Sequence, residues 1–90
     1  MTRWTIDYDR DVLKELRKID KQAIRRIDDY LNQRLAVQDD PRVLGRPLQG
    51  SHFDSLWRFR VGDYRIIANI EDQTIIITVL KIGHRKDVYR

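Results

Sequence analysis

Arg58, Arg60, Arg65, His84, Arg85 and Tyr89 are the residues of this 90-residue chain whose types and spacing could do chemistry. Guanidinium groups are planar forks that match phosphate geometry. An imidazole ordinarily titrates at about pH 6.5, which suits proton transfer near neutrality. A phenol titrates at about pH 10 and serves as a base only where cations lower that value. The ring of Tyr89 could also stack on a nucleobase. Taken together, these groups suit chemistry at a phosphate, with arginines holding the negative charge and a histidine or tyrosine moving the proton. Each also has a plainer reading: the arginines solvate an exposed sheet face, His84 is a turn residue, and Tyr89 caps the core.

The overall balance favours an anionic partner. Lys and Arg number 18 against 14 Asp and Glu, for a net charge of +4. That excess points to nucleic acid first and to an acidic protein second. The chain has no cysteine, so it carries no disulfide and no thiolate metal site, which suits a cytoplasmic location. The two histidines, His52 and His84, are too far apart for zinc spacing. No metal or other cofactor is expected. No apolar run reaches the ~18 residues of a membrane span, so no membrane association is expected.

Residues 1–90 are expected to form one domain. In "WTIDY", Trp4, Ile6 and Tyr8 alternate with Thr5 and Asp7, a strand pattern. "DRDVLKELRKI" places Val12, Leu13, Leu16 and Ile19 at helical spacing behind Asp9 as N-cap. "DKQAIRRIDDYLNQRL" does the same with Ile24, Ile27, Leu31 and Leu35 behind Asp20. Two helices so closely joined predict a hairpin, and charges such as Glu15 and Arg34 read as solvated helix surface. From Ala36 to Ser55, Pro41, Gly45, Pro47 and Gly50 interrupt any pattern. That stretch is expected to be an ordered surface connection, with Val43 and Leu48 pinned to the core and His52 a loop side chain. The remainder reads as strands: "LWRFRV", a Gly62-Asp63 loop, "YRIIANI", a turn at Glu71–Gln73, and the apolar "TIIITVLKI" as central strand, with a tail beyond Gly83. The expected class is α+β, in the order β-α-α-β-β-β. An antiparallel sheet carries the helical hairpin on one face and leaves the other open.

A two-residue loop at Gly62-Asp63 sets the pairing of its hairpin. Val61 then faces Tyr64, and Arg60 lies directly across from Arg65. Both arginines, with Arg58, point away from the side holding Trp57, Phe59, Tyr64 and Ile66, which reads as core. Like charges opposed on a sheet are destabilising. A phosphate between them is the natural counter-ion, since the face offers few acids.

"RFRVGDYR", the apolar strand and "IGHRKDVY" together resemble the RelE/ParE toxin superfamily, and most of all its RelE-type mRNA interferases. "YDRDVLKELRKID" is similar to the family's first helix, and "RPLQG" to its pre-strand loop. The resemblance implies a RelE-like fold and a toxin of a type II toxin–antitoxin system that cuts mRNA in the ribosomal A site without a metal. The 2′-hydroxyl attacks the adjacent phosphate. It also implies a cognate antitoxin as partner, the ribosome and mRNA as targets, and a toxin–antitoxin complex on operator DNA. Carried over position by position, Arg65 and Arg85 stabilise charge on the phosphate, Arg58 and Arg60 bind RNA, and Tyr89 or His84 moves the proton. A ParE-like inhibitor of DNA gyrase, which binds a protein and cuts no RNA, is the competing reading of the same fold.

Overall fold

Local sequence places the helices where alternation gives way to a carboxylate and an apolar stripe. The computed structural model describes residues 3–48 and 56–84. The first strand, β1 (Thr5–Tyr8), buries Trp4 just ahead of it and half-buries Ile6 and Tyr8. Asp9 then stops the strand and starts α1 (Arg10–Leu16), its carboxylate accepting the Asp11 N–H at 3.2 Å. Asp20 stands at the N-cap of α2 (Lys21–Tyr30) but makes no side-chain capping bond. The helix continues as a π-helical turn, Leu31–Leu35, closed by the Ala36 N–H on the Leu31 carbonyl at 2.9 Å. Ile27, Leu31 and Leu35 are buried as the stripe requires. Leu13 is not: α1 has only two turns, its fully buried residue is Val12, and Leu13 is 52% exposed.

The connection after the helices is more regular than its composition suggests. Asp40 accepts the Arg42 N–H and caps a 3-10 turn, Pro41–Leu44. A two-residue strand follows, β2 (Arg46–Pro47). Pro41 is the buried anchor of this segment, whereas Val43, expected in the core, is 69% exposed and Leu48 is half-buried. A 3-10 turn repeats every three residues, so Pro41 and Leu44 share its inward side and Val43 lies off it. His52 lies outside the described residues.

The remaining strands are β3 (Leu56–Val61), β4 (Tyr64–Glu71) and β5 (Ile76–His84), in the spatial order β1-β5-β4-β3-β2. The expected elements are all present, in an α+β arrangement with both helices on one face. Two features refine it. β2 adds a fifth strand, and β1 pairs with β5 in parallel, so the sheet is mixed. The chain crosses the sheet through the helices before building the antiparallel β2–β5 meander, which leaves β1 and β5 running the same way. β5 is an interior strand between β1 and β4, while β4 is the middle strand of the five. The last turn spans Asp72–Ile75, and Ile75 takes φ +57° there.

Phe59, Ile66, Ala68, Ile70, Ile77, Val79 and Ile82 form the sheet's half of the core, against Val12, Ile27, Leu31 and Leu35. Ile82 joins this set because β5 contains a bulge. Ala68 pairs with Val79 but Ile67 pairs with Lys81, leaving Leu80 as an extra residue. Strict alternation from Val79 would bury Lys81 and expose Ile82, and the bulge prevents both. No helix among the described residues is long and apolar enough to cross a membrane.

Candidate nucleic-acid interface

The β3–β4 hairpin closes as its sequence requires. Gly62 takes φ +58°, where a residue without Cβ is at ease. Val61 pairs with Tyr64 and Arg60 with Arg65. Arg58 lies two residues before Arg60 and therefore on the same face. On its other side Arg58 pairs with Arg46 of β2. Four arginines thus share one sheet face as two cross-strand pairs, Arg46–Arg58 and Arg60–Arg65. They line a cleft of about 450 Å³, bounded also by Gly45 and the rim of Phe59.

The four differ in exposure. Arg46 and Arg60 are exposed and Arg58 is half-buried. Arg65 was expected to project from the core like the others, but it is only 7% exposed. Its Nη1 donates to the Gly62 carbonyl at 3.2 Å and to the Tyr64 carbonyl at 3.1 Å. Those bonds fold the side chain against the hairpin and occupy one nitrogen of the guanidinium. Nε and Nη2 remain as donors in a fixed plane. Among the described residues, Arg46, Arg60 and Arg65 make no ion pair with a carboxylate.

Two acids of the neighbouring turns, Asp40 and Asp72, are held by Arg42. Arg42 donates to both oxygens of Asp72, at 3.1 and 2.6 Å, and to Asp40 at 3.1 Å. Its guanidinium also lies 6.0 Å from the centre of the Trp57 ring. The hydrogen bond from Arg42 holds the Asp72 carboxyl below the usual carboxylate range, and the same bond holds Arg42 more firmly protonated. This clamp fastens the 3-10 turn to the β4–β5 turn. Gly45 completes the wall by close approach. A Cβ there would stand 2.6 Å from a Phe59 ring carbon and 2.8 Å from the Arg58 carbonyl.

His84 is not with the arginines. It is the last residue of β5 rather than part of a tail, and it pairs with Tyr64. It therefore lies on the helix side, its ring edge-on to Tyr64 at 5.8 Å and 77°. A cavity of about 200 Å³ beside it is lined by Glu15, Lys18 and Ile19 of the α1 end. Arg85 and Tyr89 lie outside the described residues. The structure thus brings together Arg58, Arg60 and Arg65, adds Arg46, which sequence reasoning missed, and separates His84. The signal for Arg46 was the following proline, which favours an extended conformation in the residue before it and suits a sheet edge.

A second concavity, of about 470 Å³, opens between the helices on the far side of the sheet. It is lined mainly by Tyr8, Leu13, Leu16, Ile24 and Ile27. The Tyr8 hydroxyl donates to Asp28 at 2.9 Å at its edge, and burial together with that bond raises the pKa of the phenol.

Known proteins share this architecture. The chain is 23% identical over 87 residues to Toxin RelG of Mycobacterium tuberculosis, covering 97% of each chain. It is 27% identical over 89 residues to a putative RelE-like toxin protein of Escherichia coli, covering 97% of this chain and 90% of that one. Its fold is similar to the solved toxin–antitoxin complex RelBE2 of Mycobacterium tuberculosis, with a TM-score of 0.82 and 22% identity over 97% of both chains. The family described as the ParE toxin of the type II toxin–antitoxin system parDE matches residues 6–89. That match runs through both helices, the arginine-bearing hairpin and β5, and on it the chain belongs to the ParE toxin family of type II toxin–antitoxin systems.

Proposed function

We propose that this toxin is a ribosome-dependent, metal-independent endoribonuclease that cuts mRNA in the A site. The observation that carries the reading is the directly opposed Arg60–Arg65 pair in a cleft lined by four arginines and, among the described residues, by no carboxylate. Two cations facing each other with no acid between them are suited to a phosphate. In the reaction, the RNA 2′-oxygen attacks the adjacent phosphorus and the 5′-oxygen leaves. The products are a 2′,3′-cyclic phosphate and a 5′-hydroxyl. One proton leaves the 2′-hydroxyl and one reaches the departing oxygen.

Charge builds on the non-bridging oxygens during this displacement. Arg65, restrained by its two carbonyl bonds, presents donors without first having to be ordered. Arg85 shares that task, while Arg58 and Arg60 hold the RNA backbone. An arginine is effectively always protonated and does not serve as the base. His84 faces the helices, so the reading gives proton transfer to Tyr89. The partner is a cognate antitoxin, as in the RelBE2 complex, and the pair would act together on operator DNA in the cytoplasm. The apolar groove between α1 and α2 offers the antitoxin a foothold.

The test is primer extension on a reporter mRNA with purified protein, with and without programmed ribosomes. Cleavage within the A-site codon only when ribosomes are present is the expected result. Intact mRNA in both conditions, from a folded sample, overturns the reading. The ParE description of the matching family supports the alternative, in which the arginine face docks on DNA gyrase. Inhibition of supercoiling with intact mRNA is its signature.

A further inference from the structure

The nuclease reading already gives Arg58 and Arg60 to the RNA backbone, and the same face carries a fourth arginine, Arg46, to which it gives no task. Arg46–Arg58 and Arg60–Arg65 are successive cross-strand pairs on the same side. Arg58 and Arg60 are two residues apart, roughly 6.7 Å along an antiparallel strand, which is close to the repeat of one nucleotide in an extended single strand. A row one guanidinium pair wide fits one backbone. The concavity does not end at Arg46. A second depression of about 400 Å³ is lined by Arg46, Arg58, Pro47 and Leu48, so the first pair forms the boundary of both hollows. Pro47 is exposed and Leu48 half-buried, an apolar shelf beyond the cations.

We propose that Arg46 and Arg58 form a second phosphate subsite, one nucleotide along from Arg60 and Arg65, with Pro47 and Leu48 supporting the sugar and base beyond it. The inference rests on the nuclease reading and adds to it a grip on two successive phosphates of the RNA strand. Its weight falls on Arg46 and on the strand register, whatever other group Arg58 touches. Arg46 is exposed, makes no ion pair among the described residues and stands opposite another cation. Its place at the sheet edge is fixed by its neighbours on both sides. Pro47 pairs with Trp57, the Leu48 N–H donates to the Leu56 carbonyl at 3.1 Å just beyond it, and the close packing of Gly45 on Phe59 fixes the strand's entry.

The test uses a short fluorescent 2′-O-methyl oligoribonucleotide, which lacks the attacking hydroxyl, and follows its binding by polarisation across a KCl series. Each phosphate contact on a single strand contributes about 0.7 to the slope of log K against log salt. Arg46→Ala should lower that slope by about 0.7 and weaken low-salt binding roughly tenfold, while Arg46→Lys keeps the slope. Arg34→Ala, on the helix side, should change neither. A neutral methylphosphonate walked along the oligonucleotide should weaken binding at two adjacent linkages in the unmodified protein and at one in Arg46→Ala. An unchanged slope in folded Arg46→Ala, or a single sensitive linkage in the unmodified protein, overturns the second subsite and leaves the nuclease reading standing. No low-salt binding by the unmodified protein also overturns it, and ribosomal cleavage then judges the nuclease reading on its own.

Discussion

Replacing Arg65 by methionine should separate what this side chain does for the fold from what it does for the reaction. Methionine keeps most of the buried aliphatic stem, so little cavity is created. The swap removes two hydrogen bonds, at 3.2 and 3.1 Å, both at the long end of the usual range. Such bonds contribute about 1 kcal/mol each. It also removes the repulsion with Arg60. Two charges roughly 6 Å apart, at an effective dielectric between that of a protein surface and that of water, repel by about 1–3 kcal/mol. The two effects nearly cancel, and stability should move by no more than about 1 kcal/mol in either direction. The reaction has no such compensation. Losing one preorganised donor costs ~10²–10³ in rate, or about 2.7–4 kcal/mol on the barrier. The assay pairs single-turnover cleavage on programmed ribosomes with urea unfolding of the same preparation. Arg65→Lys, which keeps a charge but not the planar fork, should fall between the two. Cleavage by Arg65→Met within about threefold of the unmodified protein, at matched stability, would refute the reasoning.

Three further outcomes follow from particular contacts. Asp72 has its pKa lowered by Arg42, so the clamp's contribution is full above the unfolded carboxylate value of about 4 and is lost as pH falls through the lower folded value. Melting curves of the unmodified protein and Asp72→Asn should therefore differ near neutrality and converge in strong acid. Gly45→Ala should cost roughly 1–3 kcal/mol in urea unfolding, because the new methyl meets the Phe59 ring and the Arg58 carbonyl; an unchanged midpoint would contradict that packing. Ile75→Gly should move stability by less than about 1 kcal/mol by the same measurement, since relief of strain at φ +57° is offset by glycine's chain entropy and by the lost burial of a side chain that is 43% exposed.

The parts of the site that could be read from the residues are those governed by short-range rules. A two-residue loop with glycine at its first position determines the hairpin pairing, so Arg60 opposite Arg65 follows from counting. The capping bond at Asp9, the N-cap position of Asp20 and the buried stripe of α2 follow from spacing in the same way. What escaped depends on partners distant in the chain. Arg46 acquires its meaning only when β2 meets β3, and two residues ending in proline carry no strand periodicity. The burial of Arg65 depends on where the hairpin's own carbonyls point, which no alternation pattern encodes. Leu13 satisfies the helical stripe but lies on a helix too short to bury it. The location of His84 was hidden by the unpaired Leu80, which changes the side on which every later residue of β5 emerges.

That extra residue also affects how positions should be matched between this toxin and its relatives. A strand has a parity: odd and even positions serve different sides, and one insertion exchanges them. Ile82 and His84 reach the helix side because the count from Val79 is broken once. A relative without the insertion would place the residue at the same alignment column on the opposite surface, even if the amino acid were identical. Equivalence after Leu80 is therefore better judged by the cross-strand partner than by the column. Gly83 corresponds to whatever faces the hairpin arginine, and His84 to whatever faces the hairpin tyrosine.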